Sequence, residues 1–364
     1  MSYYCKKCNK YWNYPVENCV FCGERTYEVI STKNYVTGYT KVHVPSAGNE
    51  KVPYYIYLLE DENGIKSFKK SYEKYETGDE ISPIKEINDK VKVGIVGTGL
   101  MGSQIAEHLI LCRYETILKT REEKNEKMIF SRIEKNISKG LSETEVSQYL
   151  RYLSTTTDYS DFSDCDVVID ATTENLEVKR EVFKILSNTC RDTTILATNS
   201  SSISIDYISI DTPKPENCIG MHFFNPVRKM DLVEIVVGEK TSKRTKDVII
   251  KFAKDLGKIP IMVKSSPGFI VNRLLLPQIN EAAKLLEEGV ASKEDIDLAT
   301  KLGLNHPMGP FELADFIGID ICVSILEVLS KELKNVTIKP VDILYEMVNE
   351  GKLGYKTKEG FYKY

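Results

Sequence analysis

The segment from Val91 to Gly102, VKVGIVGTGLMG, constrains this chain more than any other. Val91 to Val96 are mostly apolar and have the length and β-branched content of a buried parallel strand. They run directly into Gly97-Thr98-Gly99-Leu100-Met101-Gly102, and a helical pattern follows through Leu111. A glycine-rich turn between such a strand and such a helix is the fingerprint of a dinucleotide site. Gly97 permits the turn, Gly99 lets a pyrophosphate approach the backbone, and Gly102 lets the helix pack closely on the strand. The helix that opens at Leu100 and Met101 then offers free N–H groups and a positive dipole end to the phosphates.

A chain of 364 residues is long for one core, so more than one domain is expected. Its net charge of −4 argues against a nucleic-acid binder working through bulk electrostatics. No apolar run approaches the ~20 residues of a membrane span, and no secretory pattern opens the chain. A cytoplasmic protein is expected, and nine cysteines, an odd count scattered along the chain, fit a reducing compartment.

Cys5-Lys6-Lys7-Cys8 and Cys19-Val20-Phe21-Cys22 are two CxxC pairs separated by ten residues. Each pair can clamp one side of a tetrahedral Zn²⁺, so residues 1–30 read as a zinc ribbon. Four sulfur ligands close the coordination sphere, which makes the metal structural. Residues 31–86 read as a small β domain, with strands at Tyr35–Val44, Tyr54–Leu59 and Ile65–Phe68. Turn signals separate them at 45–49 and 61–64. Tyrosines are dense here and could stack bases, yet residues 1–86 balance twelve Lys and Arg against twelve Asp and Glu, which is no basic footprint. The four cysteines and segments such as TGYTKVHVP resemble the ribbon-plus-OB-fold proteins that accompany thiolases and other acyl-CoA enzymes. That resemblance implies an OB-like β-barrel that binds acyl-CoA or docks a thiolase-like partner. Lys66, Lys69, Lys70 and Lys74 could meet CoA phosphates or form a solvated face, and the whole module could equally be a stabilising appendage.

Residues 84–90 read as a polar linker, and a Rossmann domain is expected over 90–265. Its second strand, Glu115–Lys119, ends in Thr120-Arg121, where an NAD site would carry an acid for the ribose hydroxyls. A hydroxyl beside a guanidinium suits a 2′-phosphate, so NADP(H) is favoured over NAD(H). NAD(H) stays open, since Glu122 or Glu123 could be the acid if the strand end is shifted. A charged helical pair over 122–150, broken near Lys139-Gly140, precedes strands at Asp166–Ala171 and Thr194–Ala197. Those strands end in Thr172–Leu176 and Thr198–Ser202, polar clusters where the nicotinamide should lie, although serines there are also ordinary caps and turns.

The strand Cys218–Met221 delivers His222, and the strand Leu232–Val237 carries Glu234 inside an apolar run. A carboxylate there needs a partner, and the economical one is His222. The carboxylate would orient the ring and stabilise its charged form. Such an imidazole beside a nicotinamide can take the proton of a secondary alcohol as hydride leaves its carbon.

GIVGTGLMGSQIA, ATNSSSISI, GMHFFNPVRKMDLVEIV, SPGFIVNRLLLPQINEA and GYKTKEGFYKY, in unbroken order over residues 90–364, closely resemble the L-3-hydroxyacyl-CoA dehydrogenases, above all the short-chain 3-hydroxybutyryl-CoA type. The resemblance implies His222 as the catalytic base and Glu234 as its orienting carboxylate. It implies that Ser201 and Asn272 position the 3-oxygen and the thioester end of an acyl-CoA substrate, and that Glu174, Lys179, Asn225 and Lys356 contact the cofactor. The ribose-reading site at Thr120-Arg121 departs from the family's acid.

Residues 266–364 read as helical, with stretches at Phe269–Glu288, Ser292–Lys301, Glu312–Leu329 and Val341–Asn349. Their apolar faces call for a partner subunit, and the resembled family dimerises through this domain. The expected fold is thus an α/β Rossmann domain plus an all-α C-terminal dimerisation domain, preceded by a zinc ribbon and an OB-like barrel. Two other readings remain: a free β-hydroxyacid dehydrogenase, whose catalytic lysine is not evident, and a CoA-binding or docking scaffold on a dead dehydrogenase. Retention of His222, Glu234, Ser201 and Asn272 speaks against the scaffold.

Overall fold

The computed structural model describes all residues except 1, 9, 13–17, 20, 23, 26, 30–33, 43–53, 62–63, 65, 72–73, 82–90, 140 and 334–337. The expected turn at 45–49, the linker at 84–90, and Gly140 therefore lie outside the described residues, as do the side chains of Lys69 and Lys70. The chain divides into two compact units, Met1–Asn88 and Asp89–Tyr364.

In the first unit, β1 (Ser2–Cys5), β2 (Lys10–Trp12) and β3 (Tyr27–Val29) form an antiparallel sheet in the order β2-β1-β3. Cys5 ends β1, and its sulfur lies with those of Cys8, Cys19 and Cys22 in a group whose members are all within 4.8 Å of one another. A second antiparallel sheet comprises β4 (Asn34–Val42), β5 (Tyr54–Asp61), β6 (Lys66–Ser71) and β7 (Glu80–Ile81), in the order β6-β5-β4-β7. The start of β4 alternates buried and exposed residues, the period-two signature of a sheet with one covered face. Val36, Tyr57 and Leu59 supply that cover, and Tyr57 Oη accepts the Tyr75 N–H at 2.9 Å. Among the described residues this is an open four-stranded sheet rather than a closed barrel.

The second unit opens on β8 (Lys92–Val96), α1 (Leu100–Leu111) and β9 (Glu115–Lys119). The charged helical pair follows as α2 (Glu126–Ile137) and α3 (Glu143–Leu150), the latter started by a Ser142/Glu145 capping box. Then come β10 (Leu153–Thr156), β11 (Val167–Asp170), α4 (Leu176–Thr189), β12 (Ile195–Thr198), the single turn α5 (Ile205–Ile208) and β13 (Cys218–Phe223). β14 (Leu232–Val237), α6 (Lys243–Asp255) and β15 (Ile259–Lys264) complete one eight-stranded sheet, ordered β10-β9-β8-β11-β12-β13-β14-β15. β10 through β13 are parallel, and β14 reverses direction against β13. The strand order turns about β8, so the crevice beside β8, at the carboxyl ends of the parallel strands, is the switch point where such sheets bind ligands.

Among the described residues five further α-helices follow: α7 (Val271–Glu287), α8 (Lys293–Gly303), α9 (Pro310–Ile317), α10 (Ile319–Glu332) and α11 (Asp342–Asn349). Leu276, Ile279, Phe311, Leu326 and Leu344 build their shared core. The single helix expected from Glu312 to Leu329 is two, because Gly318 at φ 107° takes a conformation that side chains resist and bends the chain between α9 and α10. Buried Asp315 accepts the N–H groups of Phe361 and Tyr362 and the Tyr364 hydroxyl, each at 2.9 Å, and so ties the C-terminal segment to α9.

Gly94 shows how tightly the sheet is covered. A Cβ there would fall 2.2 Å from Phe162 Cδ1, inside any possible contact distance. Gly94→Ala is expected to lose ~1–3 kcal/mol by overpacking, read as a lower denaturant midpoint for the second unit. An unchanged midpoint would mean that Phe162 does not cover β8.

Candidate active site

Four loops leave the sheet at the carboxyl ends of β8, β11, β12 and β13, and their residues meet there. The first is the glycine-rich turn. A Cβ on Gly97, whose φ is 111°, would lie 2.6 Å from the Ala171 carbonyl oxygen, and one on Gly102 would lie 2.0 Å from that of Gly97. A Cβ on Gly99 would meet nothing within 4 Å. The first and third glycines thus serve close packing, while the second borders open space that a ligand can enter. No side chain caps α1 and no acid lies in its first turn, so the leading N–H groups at Leu100, Met101 and Gly102 are left for an anion. Thr98 and Ser103 close the turn through a hydroxyl-to-carbonyl bond of 3.1 Å, and Arg132 of α2 donates to the same Thr98 carbonyl at 2.7 Å.

At the end of β9, Thr120 is buried and its N–H donates to the Thr156 carbonyl at 2.8 Å. Arg121 is exposed beside it, and Glu122 is engaged by Lys124.

The loop after β11 is organised by Asp170, fully buried at the strand end. It accepts from Lys179 Nζ and from Thr198 Oγ1, both at 2.9 Å, and from the Thr172 N–H at 3.0 Å. Lys179 is only 1% exposed, so its ammonium is committed to Asp170, to Glu174 at 3.8 Å and to the Thr172 carbonyl. Glu174 reaches the next loop: one carboxylate oxygen accepts the Ser200 hydroxyl at 2.7 Å, the Ser201 N–H and hydroxyl at 2.8 and 3.1 Å, and the Ser202 N–H and hydroxyl at 3.0 and 3.1 Å. The serine cluster after β12 is therefore a folded turn around a carboxylate. Ser201 also meets Asn272 of α7, whose Nδ2 donates to the Ser201 carbonyl at 3.4 Å.

His222 and Glu234 are register partners across the antiparallel β13–β14 pair, which puts their side chains on one face. His222 Nδ1 lies 2.7 Å from Glu234 Oε2, and both residues are buried. The other carboxylate oxygen accepts the N–H groups of Ile270 and Val271, each at 3.0 Å, at the start of α7. Burial pushes the Glu234 carboxyl up, but the hydrogen bonds and charge of His222 and the two backbone donors outweigh it, and the net shift is downward. The ionised carboxylate fixes Nδ1 as the donor and leaves Nε2 as the ring's working nitrogen. Phe224 and Phe269 flank the imidazole, with ring centroids 4.6 and 5.7 Å away.

Asn225 follows three residues after His222, half-buried, and is bonded to Gln104 of α1. Lys356 of the C-terminal segment pairs its ammonium with Asp320 of α10. Gln104, Arg132 and Asp170 have no sequence signal as site residues; Gln104 and Arg132 act across long sequence separations that only the fold closes.

Residues 92–266 match the family model 3-hydroxyacyl-CoA dehydrogenase, NAD binding domain, and residues 268–364 match 3-hydroxyacyl-CoA dehydrogenase, C-terminal domain. The 3-hydroxybutyryl-CoA dehydrogenase of Clostridioides difficile is 43% identical over 279 residues, covering 75% of this chain and 99% of that protein. The mitochondrial hydroxyacyl-coenzyme A dehydrogenase of Homo sapiens is 40% identical over 284 residues, covering 75% of this chain and 90% of its own length. The crystal structure of (S)-3-hydroxybutyryl-CoA dehydrogenase from Ralstonia eutropha aligns with a TM-score of 0.71 at 40% identity, covering 75% of this chain and 98% of that one. Both halves of one family thus match in order across the unit that holds the glycine-rich turn and the His222–Glu234 pair, and the chain belongs to the 3-hydroxyacyl-CoA dehydrogenase family.

Proposed function

We propose that the protein interconverts (S)-3-hydroxyacyl-CoA and 3-ketoacyl-CoA by hydride exchange with NAD(P), on short chains such as 3-hydroxybutyryl-CoA and acetoacetyl-CoA. The observation that carries this reading is the buried His222–Glu234 pair at 2.7 Å, on a strand whose following loop is tied through Asn225 and Gln104 to the helix behind the glycine-rich turn. A bound nicotinamide accepts or returns the hydride. In oxidation His222 Nε2 takes the hydroxyl proton, and in reduction the charged ring gives it back. Glu234 holds the ring in one tautomer and offsets its charge while the proton is there. Ser201 and Asn272, tethered to each other, position the 3-oxygen and the thioester end of the substrate. A scaffold on a dead dehydrogenase gives no reason for keeping a buried carboxylate paired with a histidine, since burying the charge costs stability.

Cofactor choice turns on Arg121. It lies exposed at the end of β9, while Glu122 is taken up by Lys124, which favours a 2′-phosphate and hence NADP(H). The exposed leucines of the helical region, Leu274 and Leu302 at 73% and 77%, favour a homodimer through that region. In the described residues no helix is long and apolar enough to cross a membrane.

The four cysteine sulfurs fit one structural Zn²⁺: all thiol ligands, mutually close and on both sides of a two-CxxC frame. For the rest of the first unit we favour docking of a thiolase-like partner over guidance of acyl-CoA. Lys66 and Lys74 already pair with Glu60 and Glu76, at 3.8 and 2.5 Å, which leaves less free charge for CoA phosphates.

Reduction of acetoacetyl-CoA, followed with NADH and NADPH in parallel, tests the activity. Turnover is expected, faster with NADPH, and Arg121→Ala should erode that preference roughly tenfold. Faster turnover with NADH, unmoved by Arg121→Ala, would make the site an NAD site; no turnover with either would reject the activity.

Elemental analysis should find about one zinc per chain. Removing the metal, or residues 1–86, should leave turnover and the Michaelis constant for acetoacetyl-CoA nearly unchanged. A raised Michaelis constant would restore substrate guidance as the module's role.

A further inference from the structure

Gln104 lies one turn beyond the glycine-rich turn on α1, yet both ends of its side chain are spent on the loop that follows His222. Its Nε2 donates to Asn225 Oδ1 at 2.9 Å, and its Oε1 accepts the Val227 N–H at 2.8 Å. The same loop is gripped from its other side by buried Lys258, whose ammonium donates to the Val227 carbonyl and, at 2.9 Å, to that of Met230. Val227 is thus held through both its N–H and its carbonyl, two residues after Asn225.

A carboxamide has an accepting end and a donating end, and which one faces a ligand depends on where the other is anchored. Here the oxygen of Asn225 is anchored by Gln104. Its Nδ2 makes no hydrogen bond to any described residue, although the side chain is half-buried. A half-buried donor left without a protein partner is suited to an acceptor on a ligand. Asn225 follows the imidazole of His222 by three residues, and its oxygen is held by the helix that leaves the glycine-rich turn.

We propose that Gln104 is a positioning residue: it fixes the Asn225 carboxamide with its amino end outward, to donate to an acceptor on the nicotinamide half of the cofactor. The inference rests on the dinucleotide reading of the crevice. It separates two tasks on one helix. The leading N–H groups of α1 serve the phosphates, and a side chain one turn later serves the other half of the same ligand.

Binding to the full-length protein, measured by calorimetric titration without acyl-CoA, tests this. The ligands are whichever of NADH and NADPH binds tighter, and the matching nicotinamide-free fragment, ADP-ribose or its 2′-phosphate. Gln104→Ala should weaken the dinucleotide roughly three- to tenfold, the span of one neutral hydrogen bond, and leave the fragment unchanged. Gln104→Glu is the sharper variant. Its carboxylate still accepts from Val227 but has no proton for Asn225 Oδ1, so the carboxamide turns its amino end inward. The same selective loss is expected with thermal stability retained. The double variant Gln104→Ala, Asn225→Ala should bind no more weakly than Asn225→Ala alone. Equal losses for dinucleotide and fragment, or no loss for the dinucleotide in either Gln104 variant, would overturn the inference. Failure of the unsubstituted protein to bind NADH or NADPH would instead overturn the dinucleotide reading, and the inference with it.

Discussion

Glu234 is a carboxylate on a buried strand, and the arrangement of the site follows from how that charge is satisfied. Three donors meet it: His222 Nδ1 at 2.7 Å and the N–H groups of Ile270 and Val271 at 3.0 Å each. The two backbone donors open α7, where the first turn of a helix always has N–H groups to spare and a positive dipole end. A single side chain therefore satisfies a helix start, fixes a histidine tautomer and joins the last part of the sheet to the first helix of the bundle. Its lowered pKa states the same balance in another form. Its contribution to stability is present above the ordinary glutamate range and is lost as pH falls through the depressed folded-state value.

The rest of the crevice is built by the same economy, with polar groups satisfying one another at strand ends so that few are left over. Asp170 absorbs Lys179, Thr198 and Thr172, and Glu174 absorbs three consecutive serines. What remains unspent is informative: the open side of Gly99, the leading N–H groups of α1, the second nitrogen of His222 and the amino end of Asn225. On the proposed reading these serve as an anion site, a proton carrier and a hydrogen-bond donor, the set a hydride-transfer enzyme using a dinucleotide requires.

Local pattern carried the buried strands well. β9 and β14 were legible to the residue and β8 to within one, because a buried strand in such a sheet is a short β-branched run with sharp polar ends. β10, reading LSTT, and β15, reading IPIMVK, were not, since both are edge strands with exposed positions and β15 carries a proline. The split of α9 from α10 turns on one backbone angle at Gly318, which an apolar helical pattern on both sides conceals. In the site, Glu234 was legible because a charge inside an apolar strand demands a partner. Gln104 was not, because its partners lie more than 120 residues away. The pairing of Lys356 with Asp320 was not legible either, since no sequence spacing signals it. In the first unit the cysteine spacing was enough to foresee the sulfur cluster, while the closure expected of an OB-like barrel is not seen among the described strands.

The central claim is that His222 carries the proton and Glu234 keeps it able to do so. Steady-state turnover of acetoacetyl-CoA reduction by His222→Ala and Glu234→Gln, with cofactor affinity measured alongside, tests that most directly. The account predicts a loss of ~10²–10⁴ in turnover for His222→Ala and a clear loss for Glu234→Gln, with cofactor affinity kept in both. Near-normal turnover in both variants would contradict it.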